Sequence, residues 1–163
     1  MSFDLQALPF PALFLLLCAL CGALALIDLR RGIIPDALNL AIAALGLTMV
    51  IAADGAAAGI EAMAEGIAAG AIFWLIRRLY FAWRKIQGLG LGDIKFIAAA
   101  TIWVGLLGTP TLILIAALTA LVAAGTLRIA GHHVTRQTSL PLGPFLAIGL
   151  LSTVALQQWV GLI

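Results

Sequence analysis

Two aspartates are the residues of this sequence whose type and surroundings could do chemistry. Asp28 follows a long apolar run in ALIDLRRGIIPDAL, and Asp93 follows alternating glycines in GLGLGDIKF. Two carboxyl groups about 4 Å apart, at an effective dielectric constant of about 20, repel each other by about 4 kcal/mol when both are ionised. One of them then keeps a proton near neutral pH. The ionised member of such a pair can take a proton from water while the protonated member polarises a peptide carbonyl.

The residues around each aspartate admit both a catalytic and a structural interpretation. Gly90 and Gly92 let the backbone bend and let an extended substrate approach Asp93 closely. Alternatively, Asp93 has only a structural role, because a carboxylate in the first turn of a helix interacts favourably with the helix dipole. Asp28 is harder to explain in that way, because an acid near a helix C-terminus opposes the dipole. Pairing with the arginines of the following Arg-Arg sequence would offset that cost.

Lys95 and Asp36 lie close in sequence to the two aspartates. Lys95 comes two residues after Asp93, which on a helix turns it to another face, so we expect no direct salt bridge between them. It either extends to the membrane interface or shapes the site. Asp36, directly after Pro35, either binds a basic substrate or stabilises the first turn of its helix.

The composition is that of a membrane protein. The chain has 163 residues, of which 64% are hydrophobic and 10% charged, and its mean hydropathy is +1.18. Apolar runs of about 20 residues match a hydrocarbon core roughly 30 Å thick, and helices are expected because a bilayer offers no water to an open backbone. We therefore predict an all-α polytopic membrane protein that forms a single transmembrane domain over residues 1–163.

About six transmembrane helices are expected from the positions of the apolar runs. We place them at residues 7–27, 37–53, 58–76, 91–107, 110–127 and 141–162. The sequence Gly108-Thr109-Pro110 is expected to make the tight turn between the fourth and fifth helices. Pro141 and Pro144 fall in the first turn of the last helix, where a missing N–H is tolerated.

The basic residues all fall on one side of this arrangement. The nine Lys and Arg residues follow the odd-numbered spans or begin the fourth. Since Lys and Arg are retained in the cytoplasm, the N-terminus is expected outside the cytoplasm and both aspartates at the cytoplasmic surface. Aromatic residues mixed with Arg77 and Arg78 are interpreted as a belt that contacts membrane lipid, and not as a nucleic-acid site.

Three motifs resemble those of the type IV prepilin peptidase family. GLGLGDIK resembles its GxGD motif with a trailing lysine, DLRRGIIPDAL its first aspartate motif, and SLPLGPFLAIG its C-terminal Pro-x-Gly-Pro signature. The resemblance implies a GxGD-type aspartic endopeptidase with Asp28 and Asp93 as the catalytic pair. It also implies that the enzyme removes the basic leader from prepilins or pseudopilins at the cytoplasmic face of the bacterial inner membrane.

The same resemblance suggests roles for further residues. Gly90, Gly92 and Lys95 correspond to the supporting residues of the GxGD motif, while Asp36, Pro141, Gly143 and Pro144 are candidate substrate-binding residues. Longer members of the family begin with a segment that carries paired cysteines and also N-methylate the new terminus. This sequence resembles the short peptidases of tight-adherence (Flp-type) systems, so N-methylation is not expected. Cys18 and Cys21 are interpreted as packing residues, and no metal or cofactor is expected.

Two other functions are compatible with the sequence. Glu61 and Glu65 lie on one face of the third predicted span, where carboxylates are costly unless they are paired or hydrated. They would suit a small proton- or ion-coupled membrane carrier. A non-catalytic assembly scaffold of a pilus or secretion system is the third hypothesis. The sequence leaves open the oligomeric state and the particular pilin.

Overall fold

The computed structural model describes residues 10–85, 89–129 and 141–160, except for the side chains of the last two. These residues form four helices: α1 (Phe10–Arg31), α2 (Asp36–Arg84), α3 (Leu91–Ile129) and α4 (Gly143–Val160). No strand occurs in the described ranges, which confirms the all-α prediction. Arg136 and the outer ends of the first and last predicted spans lie outside these ranges.

Each of the two long helices contains one glycine whose backbone is not helical. Gly55 has φ 90° and ψ 176°, and Gly105 has φ 72° and ψ 169°. Positive φ values of this kind favour glycine because a Cβ would be strained there. The two glycines divide the helices into four segments, which we name α2a (36–54), α2b (56–84), α3a (91–104) and α3b (106–129).

The chain folds back on itself at both glycines. In a straight helix Leu47 and Gly59 would lie about 18 Å apart, yet a Cβ built on Gly59 would be 3.5 Å from the Leu47 side chain. Likewise the hydroxyls of Thr101 and Thr109 are 2.9 Å apart, whereas a straight helix would separate these residues by about 12 Å. The long helices α2 and α3 are therefore two helical hairpins.

The reversal in α3 differs from the prediction. It lies at Gly105, and the predicted turn at Gly108-Thr109-Pro110 is wrong because these residues are helical. Gly105 supplies the positive φ, and Glu65 of α2b accepts a hydrogen bond of 2.8 Å from the backbone N–H of Leu106. That N–H is one of the first donors of α3b and has no acceptor within the helix. Pro110 lies one turn further on and does not break the helix.

The six helical segments coincide with the six predicted spans. α1, α2 and α3 are each long and apolar enough to cross a membrane, and α4 contains the shorter apolar helix Gly143–Gln158. This agrees with a polytopic membrane protein. The number of spans itself remains a prediction.

The four helices form a closed ring. Among the described residues, α1 contacts α2 and α4, and α3 contacts the same two helices. No Cα atom of α1 lies within 8 Å of a Cα atom of α3, so these two helices lie on opposite sides of the ring. The core between them is apolar, and its largest fully buried side chains include those of Leu17, Leu24, Phe96, Leu112 and Leu150.

The hairpin α2 packs closely on α3a, the segment that carries Asp93. A Cβ built on Gly66 would lie 2.8 Å from the carbonyl oxygen of Ala98, so only glycine allows the two backbones to approach this far. Further along, the indole N–H of Trp103 donates a hydrogen bond of 2.9 Å to the carbonyl oxygen of Ile42. These contacts fix α3a against both segments of α2.

Candidate active site

A cavity of about 720 Å³ lies where α1 ends and α2, α3 and α4 begin. Its volume is in the range of roughly 300–1,000 Å³ that is usual for ligand pockets. Asp28 and Asp93 both line it. The other predicted site residues that line the cavity are Asp36, Gly90, Gly92, Lys95 and Pro141. Residues from all four helices or their adjoining turns thus meet at one end of the ring.

Asp93 is held by the turn that precedes its own helix. It lies in the first turn of α3, is 9% exposed, and accepts a hydrogen bond of 3.2 Å at Oδ2 from the backbone N–H of Gly90. The carbonyl oxygen of Gly90 accepts in turn from the N–H of Ile94, at 3.3 Å. The bond from Gly90 to Asp93 is one half of a capping box, in which a side chain of the first turn satisfies the N–H before the helix, and the bond from Ile94 to Gly90 is the first backbone bond of the helix.

The two glycines of the motif make room for parts of the protein itself. A Cβ on Gly90 would lie 2.8 Å from Oδ2 of Asp93, and a Cβ on Gly92 would lie 3.0 Å from the Cβ of Ile34. Gly90 therefore permits the carboxylate to reach the backbone, while Gly92 permits the turn before α2 to pack against the start of α3. Both glycines also line the cavity, which leaves room for a substrate beside them.

Asp28 is held by a distant part of the chain. It lies in the last turn of α1, is 5% exposed, and its Oδ2 accepts a hydrogen bond of 2.8 Å from the backbone N–H of Gly143. Gly143 is the first residue of α4, 115 residues further along the chain. The hydrogen-bond partner of this carboxylate is thus the start of α4, in place of the arginines suggested by the sequence.

The two carboxylates belong to different helices that border one cavity. Because no Cα pair between α1 and α3 is closer than 8 Å, the Cα atoms of Asp28 and Asp93 are more than 8 Å apart. Both side chains line the cavity, so both can reach a substrate that binds in it.

Lys95 and Asp36 form an ion pair beside the cavity. The Nζ atom of Lys95 is 2.7 Å from Oδ2 of Asp36, and the two side chains are 51% and 70% exposed. Lys95 is therefore paired with Asp36 and not with Asp93, in line with the expectation from helix spacing. An exposed pair of this kind contributes at most about 1 kcal/mol, so either partner can exchange it for a charged ligand.

Two residues that sequence reasoning did not single out as part of the site hold the turn before Asp93. Asn39 of α2a is 5% exposed, and its Nδ2 lies 3.4 Å from the carbonyl oxygen of Gly92, a long hydrogen bond. Arg77 of α2b donates from Nε to the carbonyl oxygen of Leu89, at 2.8 Å. A sequence signal for Asn39 exists, since it is an uncharged polar residue at the start of a long apolar run.

The three predicted site residues near the start of α4 differ in how they contact the site. Pro141 lines the cavity and precedes the helix, so it does not lie in the first turn as predicted. Pro144 is the second residue of α4, where its missing N–H is tolerated. Gly143 is buried and contacts Asp28 directly.

Glu65 lies far from this cavity. It binds the N–H of Leu106, at the end of α3a opposite Asp93, about 18 Å away along the helix. Its carboxylate therefore has a structural partner, and we do not propose the carrier function that it suggested. Within the described residues no three His, Cys, Asp or Glu side chains are grouped so as to hold a metal ion.

Comparison with known proteins identifies related sequences. Residues 15–125 match the type IV leader peptidase family. Three curated relatives are described as prepilin leader peptidase/N-methyltransferase: those of Burkholderia pseudomallei (strain 1026b), Dickeya chrysanthemi and Neisseria gonorrhoeae, with 36%, 38% and 35% identity over 139, 145 and 121 residues. The alignments cover 85%, 85% and 73% of this chain but only 44%, 50% and 42% of those proteins. The chain thus spans about half the length, or less, of these relatives. No solved structure matches it.

Proposed function

Because the chain belongs to the type IV leader peptidase family, we propose that it is a membrane aspartic endopeptidase that removes the basic leader from type IV prepilins or pseudopilins. The observation that carries the proposal is that Asp28 and Asp93, both buried, line the same cavity. The relatives, which are prepilin leader peptidases, supply the class of substrate. The two carboxyl groups supply the chemistry.

The reaction follows from two carboxyl groups that share one proton. Close approach of like charges favours the singly protonated pair. The ionised carboxylate takes a proton from a water molecule in the cavity as its oxygen attacks the scissile carbonyl carbon, while the protonated carboxyl donates a hydrogen bond to the carbonyl oxygen. When the C–N bond of the resulting tetrahedral intermediate breaks, a proton passes to the leaving nitrogen. The carboxylate pair ends with one proton, as it began.

The charges around the cavity support cleavage at the cytoplasmic face of the inner membrane. Arg30 and Arg31 lie at the end of α1 and Arg84 at the end of α2b, and the basic residues of membrane proteins remain in the cytoplasm. The start of α1 lies at the opposite end of that helix, outside the cytoplasm in this orientation. Asp36, exposed beside the cavity, attracts the basic leader and can exchange Lys95 for it.

The proposal is tested by coexpression of the chain with a prepilin that carries a basic leader. We expect Asp28→Ala and Asp93→Ala each to abolish leader removal, measured as the mass of the pilin in isolated membranes. Asp54→Ala, which removes an exposed carboxylate near the Gly55 reversal, is the control and should leave cleavage unchanged. Normal leader removal by either site variant would refute the catalytic pair.

A further inference from the structure

We propose that the backbone N–H of Gly143 positions Asp28 for catalysis, so that α4 is part of the catalytic machinery. This inference rests on the proposed function and deepens it. The hydrogen bond from Gly143 to Oδ2 of Asp28 is 2.8 Å long and buried. It engages one carboxylate oxygen and leaves the other for a water molecule or substrate in the cavity that Asp28 lines.

The donor is one that the helix itself cannot use. The carbonyl oxygen of Leu142 accepts hydrogen bonds from the N–H groups of Phe145 and Leu146, at 3.1 and 3.0 Å, so Leu142 begins the helical hydrogen bonding of α4. The N–H of Gly143 belongs to the first turn of α4 and has no helical carbonyl four residues before it, so it would be unsatisfied if it were buried without an external partner. Asp28 supplies that partner, and the positive end of the helix dipole favours its carboxylate.

Glycine is required at position 143 because of space and not because of backbone conformation. Among the described glycines, positive φ values occur at Gly32, Gly55 and Gly105 only. A Cβ built on Gly143 would lie 2.6 Å from Oδ2 of Asp28 and 3.0 Å from its Cβ and Cγ. Cβ atoms in real proteins are almost never closer than 3.0 Å to another atom, so any side chain at this position displaces the Asp28 carboxylate.

α4 also helps to set the position of Asp28 relative to Asp93. No Cα atom of α1 lies within 8 Å of a Cα atom of α3, whereas both helices pack closely against α2 and α4, so these two helices help to set the position of one aspartate relative to the other. α4 is fixed to α3 at two levels: Gln157 donates to the carbonyl oxygen of Val104 at 2.9 Å, and Gly149 lies against the carbonyl oxygen of Leu112. A helix anchored in this way to α3 and bonded at its start to Asp28 sets the separation of the catalytic pair.

The experiment measures leader cleavage by purified protein in detergent with a prepilin substrate. Gly143→Ala should lower kcat by about 100-fold, as expected for a reacting group displaced by about 1 Å. KM should stay within about threefold and Tm within a few degrees, because the substrate contacts and the core are unchanged. Asp28→Ala and Asp93→Ala are measured in parallel. If they are active, the proposed function fails; if they are inactive and Gly143→Ala has the wild-type kcat, only this inference fails.

Two further glycine variants separate displacement of Asp28 from general damage. Gly125→Ala, whose Cβ would meet nothing within 4 Å, should behave as wild type. Gly59→Ala disturbs the packing within the α2 hairpin, where its Cβ would clash with the side chain of Ile51, and it does not involve α4. It should lower Tm and affect kcat much less than Gly143→Ala. An equal loss of kcat in Gly59→Ala and Gly143→Ala would overturn the inference.

A cross-linking experiment tests the contact between Gly143 and Asp28 if the Gly143→Ala protein does not accumulate. In a background with Cys18 and Cys21 replaced by alanine, the double variant Asp28→Cys/Gly143→Cys should form a disulfide, because a Cβ built at 143 would lie 3.0 Å from the Cβ of residue 28 and a shift of about 0.5 Å brings the pair into the usual disulfide range. Asp28→Cys/Ser152→Cys is the control, since Ser152 lies about 14 Å further along α4. Failure of the first pair to cross-link, or equal cross-linking of both, would overturn the proposed contact.

Discussion

The two aspartates of the proposed catalytic pair are supported in different ways. Asp93 is bonded to Gly90, three residues before it in the same turn, whereas Asp28 is bonded to Gly143, 115 residues away on another helix. The hydrogen bond to Asp93 is local, so its donor moves together with Asp93. The hydrogen bond to Asp28 depends on how α4 packs in the ring. Changes in the protein that shift α4 should therefore disturb Asp28 and leave Asp93 in place.

After Gly143→Ala, the largest effect expected within this comparison is that of Gly90→Ala. Its Cβ would lie 2.8 Å from Oδ2 of Asp93, a conflict about as severe as that of Gly143→Ala with Asp28. Because the turn at Gly90 can shift together with the start of α3, we expect kcat to fall only about tenfold, less than for a rigid displacement. The cleavage assay with purified variants measures this. A loss in Gly90→Ala as large as that in Gly143→Ala would show that local and remote support are equivalent.

A smaller effect is expected from Asn39→Leu. This substitution removes the long hydrogen bond to the carbonyl oxygen of Gly92 and also removes Oδ1, which is buried and has no partner among the described groups. The two losses oppose each other in the free energy of unfolding, so we expect it to change by less than about 1 kcal/mol. We expect kcat to fall about threefold, because Arg77 still holds the turn at Leu89.

Denaturant unfolding and the cleavage assay measure the two effects of Asn39→Leu separately. Wild-type kcat in this variant would mean that Asn39 does not help to position Asp93. A loss as large as that of Gly90→Ala would mean that the turn depends on α2 more than on its own hydrogen bonds.

The smallest effect concerns the exposed pair of Lys95 and Asp36. Lys95→Met frees the Asp36 carboxylate for a basic leader, so we expect KM to fall about twofold and kcat to stay constant. Asp36→Asn should raise KM by a similar factor. Both effects should shrink as salt is added, because the charges are exposed. Equal KM values for all three proteins at low salt would exclude a role for this pair in leader binding.

The residues that support Asp93 could be recognised in the sequence, whereas the residue that supports Asp28 could not. GLGLGDIKF shows both glycines next to the aspartate, so their importance could be predicted, although the contact of Gly90 with Asp93 itself could not. The partner of Asp28 lies across the ring, and no local pattern identifies it. Hydropathy placed each helical segment approximately, because bilayer thickness and helix rise limit the length of a span, but it did not fix the boundary at Gly105.

The turn in α3 was misplaced for a physical reason. Gly108-Thr109-Pro110 has the composition of a turn, but composition alone does not show which glycine carries a positive φ. Gly105 does so because Glu65, from a different helix, satisfies the N–H that the reversal frees. The same contact gives Glu65 a structural role, whereas the sequence had suggested a functional one. The misplaced turn thus arose at a tertiary hydrogen bond between distant residues.

The reversals at Gly55 and Gly105 each use a single residue outside the helical conformation. Each long helix therefore returns to the side from which it started. As a result the end of α1 and the starts of α2, α3 and α4 meet around one cavity of about 720 Å³.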